Sequence, residues 1–122
     1  MGGLLLQLIL RITMVLIKRS TIKSVRLQEL MTEKDGFTFQ IRTSAGWGGH
    51  FKLSEGILIF SSEIIPDPNF EQIWNNGFSA VKTMLSKDET DLLRAFEDGH
   101  YHMNGDFTIA LWFNEVVKLS KP

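Results

Sequence analysis

Residues 95–119 constrain the fold more than any other part of the chain. Ala95-Phe96-Glu97-Asp98 reads as the end of a helix, with Gly99 where a helix C-cap takes a left-handed residue. Residues 100–103 read as a short strand, Asn104-Gly105 as a turn dipeptide, and Asp106 as the cap of a last helix. That helix carries Phe107, Ile109, Ala110, Leu111, Trp112, Phe113, Val116, Val117 and Leu119, so it has almost no polar side. A terminal helix of a small domain ordinarily buries one face. This one asks for a partner on two. The partner is more core, another chain, a membrane or a hydrophobic ligand, and the choice among them is the functional question.

The 122 residues suffice for one domain with a real core and leave no room for a second. Lys plus Arg is 13 against 14 for Asp plus Glu, so nothing draws the whole chain to nucleic acid, and no nucleic-acid partner is expected. With no cysteine, disulfides, thiolate metal sites and cysteine nucleophiles are excluded. The apolar start, residues 4–17, is shorter than the roughly 20 residues a membrane-spanning helix needs and contains Arg11. Its basic residues, Lys18-Arg19, follow the apolar run, opposite to the order in a secretory signal. Gly2 lacks the hydroxyl residue of a myristoylation motif, since Leu6 stands there, and Met14 is an alternative start.

Along the chain, Gln7, Arg11 and Lys18 give the first helix one narrow polar stripe, so most of its surface needs cover by packing, dimerisation or a membrane surface. Ser20-Thr21 is expected to cap a second helix carrying Ile22, Val25, Leu27, Leu30 and Met31, ended by Asp35-Gly36. Phe37, Phe39 and Ile41 alternate with polar residues as a half-buried strand does, and Ala45-Gly46-Trp47-Gly48-Gly49 turns the chain into a strand with Phe51 and Leu53 inward. Ile57-Leu58-Ile59-Phe60 reads as a strand covered on both faces, completing a three-stranded antiparallel meander. Residues 70–85 fit either one long helix or a strand over 70–74 closed by Asn75-Asn76-Gly77 and then a helix; three turn formers inside a helix would be costly, which favours the strand. A helix over 78–85 follows, then one from Asp88 with Leu92, Leu93 and Phe96 inward.

No catalytic constellation stands out. His100 and His102 lie two apart on a strand and would share a side, with Asp98 or His50 as further candidates, but no third ligand sits at a telling metal spacing. No metal and no cofactor is therefore expected. The glycines of residues 45–49 precede a strand rather than a helix and lack the Lys-Ser/Thr of a phosphate loop. Lys18, Arg19, Lys23 and Arg26 read as a solvated helix face, and Asp88, Glu89 and Asp91 as a first helical turn.

Ala95-Phe96, Gly99, a short strand, Gly105-Asp106 and an apolar helix together resemble the C-terminal signature of the sterol carrier protein-2 family. The likeness extends back through Pro66-Asp67-Pro68-Asn69-Phe70-Glu71-Gln72-Ile73-Trp74-Asn75-Asn76-Gly77 and the helix after it, which resemble bacterial and archaeal lipid-carrier members, some of them accessory to quinone (ubiquinone) biosynthesis. The resemblance covers roughly residues 36–119.

It implies an α+β fold: a mostly antiparallel sheet of about five strands, covered on one face by helices, with a hydrophobic tunnel. Residues 1–35 would be an N-terminal helical segment, and residues 36–122 the lipid-binding domain. The implied function is non-catalytic binding and transfer or presentation of a fatty acyl, sterol-like or isoprenoid lipid. Phe39, Ile41, Phe51, Leu53 and Ile73 would floor the tunnel, with Phe78, Val81, Leu85, Leu92, Phe96, Met103, Phe107 and Leu111 as its roof. Nine Phe, three Trp and five Met exceed what a minimal core of this size needs, which fits that reading. A cytoplasmic protein with transient contact to a membrane surface is implied, and the alternative is an interaction module whose apolar helices form a homodimer. The final residues, Ser120-Lys121-Pro122, are not a peroxisomal tripeptide.

Overall fold

The computed structural model describes residues 2–34, 36–86, 88 and 90–120. In chain order the elements are α1 (Gly2–Lys23), α2 (Val25–Glu33), β1 (Phe37–Thr43), β2 (Gly48–Ser54), β3 (Ile57–Ser61), β4 (Phe70–Trp74), α3 (Gly77–Leu85), α4 (Thr90–Glu97), β5 (Tyr101–Gly105) and α5 (Phe107–Ser120). The sheet runs β3-β2-β1-β4-β5. Three of its pairings are antiparallel and the central β1–β4 pairing is parallel. The architecture is α+β, as the sequence implied.

Register and alternation decide what each face of the sheet carries. Phe37, Phe39 and Ile41 line up with Leu53, Phe51 and Gly49 across β1–β2, and Phe39 with Phe70 across β1–β4. Gln72, Trp74, Tyr101 and Met103 share that face through the β4–β5 register. The helices cover this face. α1 packs on β2 and β3 with Leu6, Leu10, Met14 and Ile17 buried, and α5 lays Phe113 on Phe39 (4.4 Å between ring centroids, stacked) and on Phe51 (5.0 Å). Trp112 of α5 donates its indole N–H to the Leu30 carbonyl at 2.7 Å, which ties α5 to α2. Here lies the partner for the two-sided apolar helix: sheet on one side and α1 with α2 on the other, leaving Phe107, Leu111 and Leu119 exposed.

The opposite face is mostly polar, though it also carries Ile57, Ile59 and Ile73, and is crossed by the connection between β3 and β4. His50 Nδ1 lies 2.7 Å from the Glu63 carbonyl, the Gln40 amide bonds both the N–H and the carbonyl of Ile65, and Thr38 bonds Asn69. These outward side chains of β1 and β2 lash the connection down. Gln40 is thereby fully buried yet fully bonded.

Several local expectations are corrected. α1 runs through Ser20-Thr21, whose hydroxyl-bearing Thr21 donates back to the Ile17 carbonyl; Ser24 is the cap of α2, accepting from the Leu27 N–H. Of the Asp35-Gly36 stop, Asp35 lies outside the described residues and Gly36 has φ 67°. β3 is an edge strand, not a strand covered on both faces: Leu58 is buried, while Ile57 and Ile59 point to the open side and are exposed. α4 buries Ala95 and leaves Leu93 and Phe96 half exposed rather than inward. Asn104-Gly105 is the end of β5, not a tight turn. Gly105 has φ 106°, and a Cβ there would meet the Asn69 carbonyl at 2.2 Å, so glycine is required where β5 passes close to β4.

Candidate functional site

β4 and β5 form the sheet edge beyond α5, and on the helix-covered side α4 and α5 stand apart over it. Between them lies an open groove of about 330 Å³, at the lower end of the size of ligand sites. Gln72, Tyr101 and Met103 are its floor; Leu92, Leu93 and Phe96 of α4 form one wall and Phe107, Ala110 and Asn114 of α5 the other. The sequence puts these side chains there by spacing: positions 92, 93 and 96 share one side of α4, and 107, 110 and 114 share one side of α5. Gly99 ends α4 with φ 76°, its N–H donating to the Phe96 carbonyl and the next N–H to the Ala95 carbonyl, so α4 turns directly into β5.

Aromatic packing sets the floor. Trp74 stacks on Tyr101 with centroids 4.4 Å apart, and Phe96 tilts against the same ring at 5.6 Å. The Trp74 indole N–H donates to Gln72 Oε1 at 3.2 Å, and the Tyr101 hydroxyl donates to the Leu92 carbonyl at 3.4 Å. Burial raises the Tyr101 pKa above its ordinary value, so the phenol stays neutral near pH 7. The site is apolar, uncharged and polar at only a few fixed points. It can hold a hydrophobic molecule.

Of the thirteen residues expected to line a tunnel, Leu92, Phe96, Met103 and Phe107 come together in the groove. Phe39, Ile41, Phe51 and Leu53 lie on the helix-covered face but are buried in the core, because Phe113 and the buried side of α1 fill the space above them. Val81 is likewise core, while Phe78 and Leu85 are exposed on α3. Ile73 sits on the opposite face, level with Arg42 and His102. Leu111 is 61% exposed and borders a separate, polar cleft with Arg26, Glu33, Lys34 and Glu115. Gln72, Leu93, Tyr101, Ala110 and Asn114 also line the groove and are not among the thirteen. Gln72 and Tyr101 were nonetheless findable, since Phe70, Gln72 and Trp74 share parity and Tyr101 pairs with Trp74.

The histidines do not converge. His50 on β2 and His102 on β5 are three strand spacings apart, about 14 Å. His100 precedes β5. Among the described residues no group of three His, Cys, Asp or Glu could hold a metal ion. Among them, too, no helix is long and apolar enough to cross a membrane.

A five-stranded mixed sheet with its helices on one face makes this an α+β domain, and its fold is that of a solved SCP2 protein. A solved structure described as "UbiJ-SCP2 Ubiquinone synthesis protein" is similar to this chain with a TM-score of 0.62. The match covers 80% of this chain and 83% of that one at 16% identity, and it carries the fold. No protein-family model matches the chain, and no curated protein sequence does.

Proposed function

We propose that this protein binds a hydrophobic small molecule non-covalently and presents or transfers it, without catalysing a reaction. The observation that carries this is the open groove, whose floor and walls are apolar apart from Gln72, the Tyr101 hydroxyl and Asn114. The structural neighbour's link to ubiquinone synthesis favours fatty acyl, sterol-like or isoprenoid ligands. A chain of about ten methylenes buried at about 0.8 kcal/mol each, less the cost of association, gives roughly micromolar affinity, which suits a carrier that also releases. A closed tunnel would form if α4 moved toward α5 over a bound chain. The test is titration with a polarity-sensitive fluorescent fatty acid: one saturable site per chain is expected, and the absence of saturable binding would overturn the reading.

α1 supports a carrier that meets a membrane surface. Its exposed side presents Leu4, Leu5, Leu8, Ile12 and Val15 beside Arg11, Lys18, Arg19 and Lys23, with no acidic residue in the helix. Each cation contributes about 1 kcal/mol near an anionic surface. A second reading rests on the spacing of that side. Leu5, Leu8, Ile12, Val15, Arg19 and Ile22 recur at alternating steps of three and four, the spacing of a helix-pairing seam. Under it the protein is an interaction module dimerised through α1. A concentration-dependent mass in sedimentation, in a chain that binds no lipid, would favour it.

A further inference from the structure

Gln72 is only 8% exposed, on the floor of an otherwise apolar groove. Its neighbour Trp74 is 1% exposed, and an indole N–H can only donate. Since that N–H lies 3.2 Å from Gln72, the amide atom facing it must be the oxygen, which fixes the orientation of the amide. The ring that imposes this is itself held by stacking on Tyr101. The amide nitrogen then points the other way, with its N–H donors. No protein acceptor pairs with it among the described residues, and no fully buried side-chain nitrogen or oxygen there lacks a partner, so Nε2 opens into the groove. The other buried glutamine, Gln40, has both ends bonded within the chain. A half-used glutamine is therefore not the rule of this fold.

The nearby polar groups do not compete for the role. The Tyr101 hydroxyl spends its proton on the Leu92 carbonyl, and Asn114 is exposed on the rim. A purely alkyl ligand lying over Gln72 would take Nε2 out of solvent and leave a donor unpaired. A ligand with an oxygen acceptor at that point would satisfy that donor. Resting on the carrier reading above, we infer that the groove selects lipids bearing a carbonyl oxygen, as in a ketone, ester or quinone, and that Gln72 Nε2 donates to that oxygen under the orientation imposed by Trp74.

The test compares methyl nonyl ketone with undecane, each displacing a fluorescent fatty acid from the full chain. Comparing the ratio of their dissociation constants between wild type and variant cancels the difference in their transfer from water. In Gln72→Met with Trp74→Phe, both partners of the hydrogen bond are replaced together, which leaves no orphaned polar group. The ratio is expected to move about tenfold toward undecane. Trp74→Phe alone keeps the glutamine but frees the amide to turn, so ketone preference should fall; this variant carries the test if the double variant does not fold. An unchanged ratio in the folded variants would overturn the role of Gln72 while leaving the carrier reading intact. Failure of both probes to bind the wild-type chain would overturn the carrier reading, and this inference with it.

Discussion

Phe96→Asp should abolish tight ligand binding while leaving the protein folded. The Phe96 ring forms the α4 wall of the groove, is 44% exposed and tilts against Tyr101 at 5.6 Å. Because half of the ring already meets solvent, the bound molecule loses about 1 kcal/mol of apolar contact, half of what a fully buried side chain contributes. The new carboxylate must also stay hydrated where the ligand would lie, which adds about 1–3 kcal/mol. Together these weaken binding by roughly 2–4 kcal/mol, or between about 30-fold and 1,000-fold. Folding loses mainly the Tyr101 contact, about 0.5–1.5 kcal/mol. The control is Leu111→Asp, on a more exposed residue of α5 that borders the other cleft; its affinity should stay within about twofold of wild type. The assay is displacement of a fluorescent fatty acid, with a thermal melt confirming that each variant is folded. Equal affinities for the two variants would refute the placement of the site.

Phe113→Ala, which removes the ring stacked on Phe39 and packed on Phe51, should cost about 3–5 kcal/mol in urea unfolding; a loss under about 1 kcal/mol would contradict the packing of α5 on the sheet. Gln40→Leu leaves the Ile65 N–H and carbonyl without their partner, so residues 62–69 should exchange amide hydrogens faster, with about 1–3 kcal/mol lost in stability. Asp106 accepts from the Thr108 hydroxyl and N–H, which lowers its pKa below the ordinary 3.8. A depressed folded-state value means that this stabilisation is fully present above about pH 4 and is lost as pH falls through the folded-state pKa. The urea midpoint of Asp106→Asn should therefore fall less than that of wild type between pH 5 and pH 2; parallel curves would contradict the assignment.

Much of the fold was legible because local chemistry and tertiary packing agree. Gly99 ends a helix, the alternation at residues 37–41 gives a strand, and Asn75-Asn76-Gly77 closes the strand at 70–74 ahead of α3. What misled was apolar character taken as inward direction. Ile73 is apolar yet follows Gln72 and precedes Trp74, and the register of β4 gives the inward places to Phe70, Gln72 and Trp74. Ile57 and Ile59 belong to an edge strand whose open side the sequence does not mark. The extent of the groove was hidden for a further reason. Whether Phe39 and Phe51 face a ligand or Phe113 depends on where α1 and α5 come to rest, and the sequence of β1 and β2 is the same in both cases.

Native mass spectrometry of the purified full chain, followed by solvent extraction of whatever is released, shows whether the groove carries a ligand and of what kind. One hydrophobic molecule per chain is expected, carrying a carbonyl group and absent from Phe96→Asp. An empty dimer that takes up neither acyl nor prenyl lipids, and becomes monomeric when Leu8 and Val15 on α1 are changed to lysine, would contradict it.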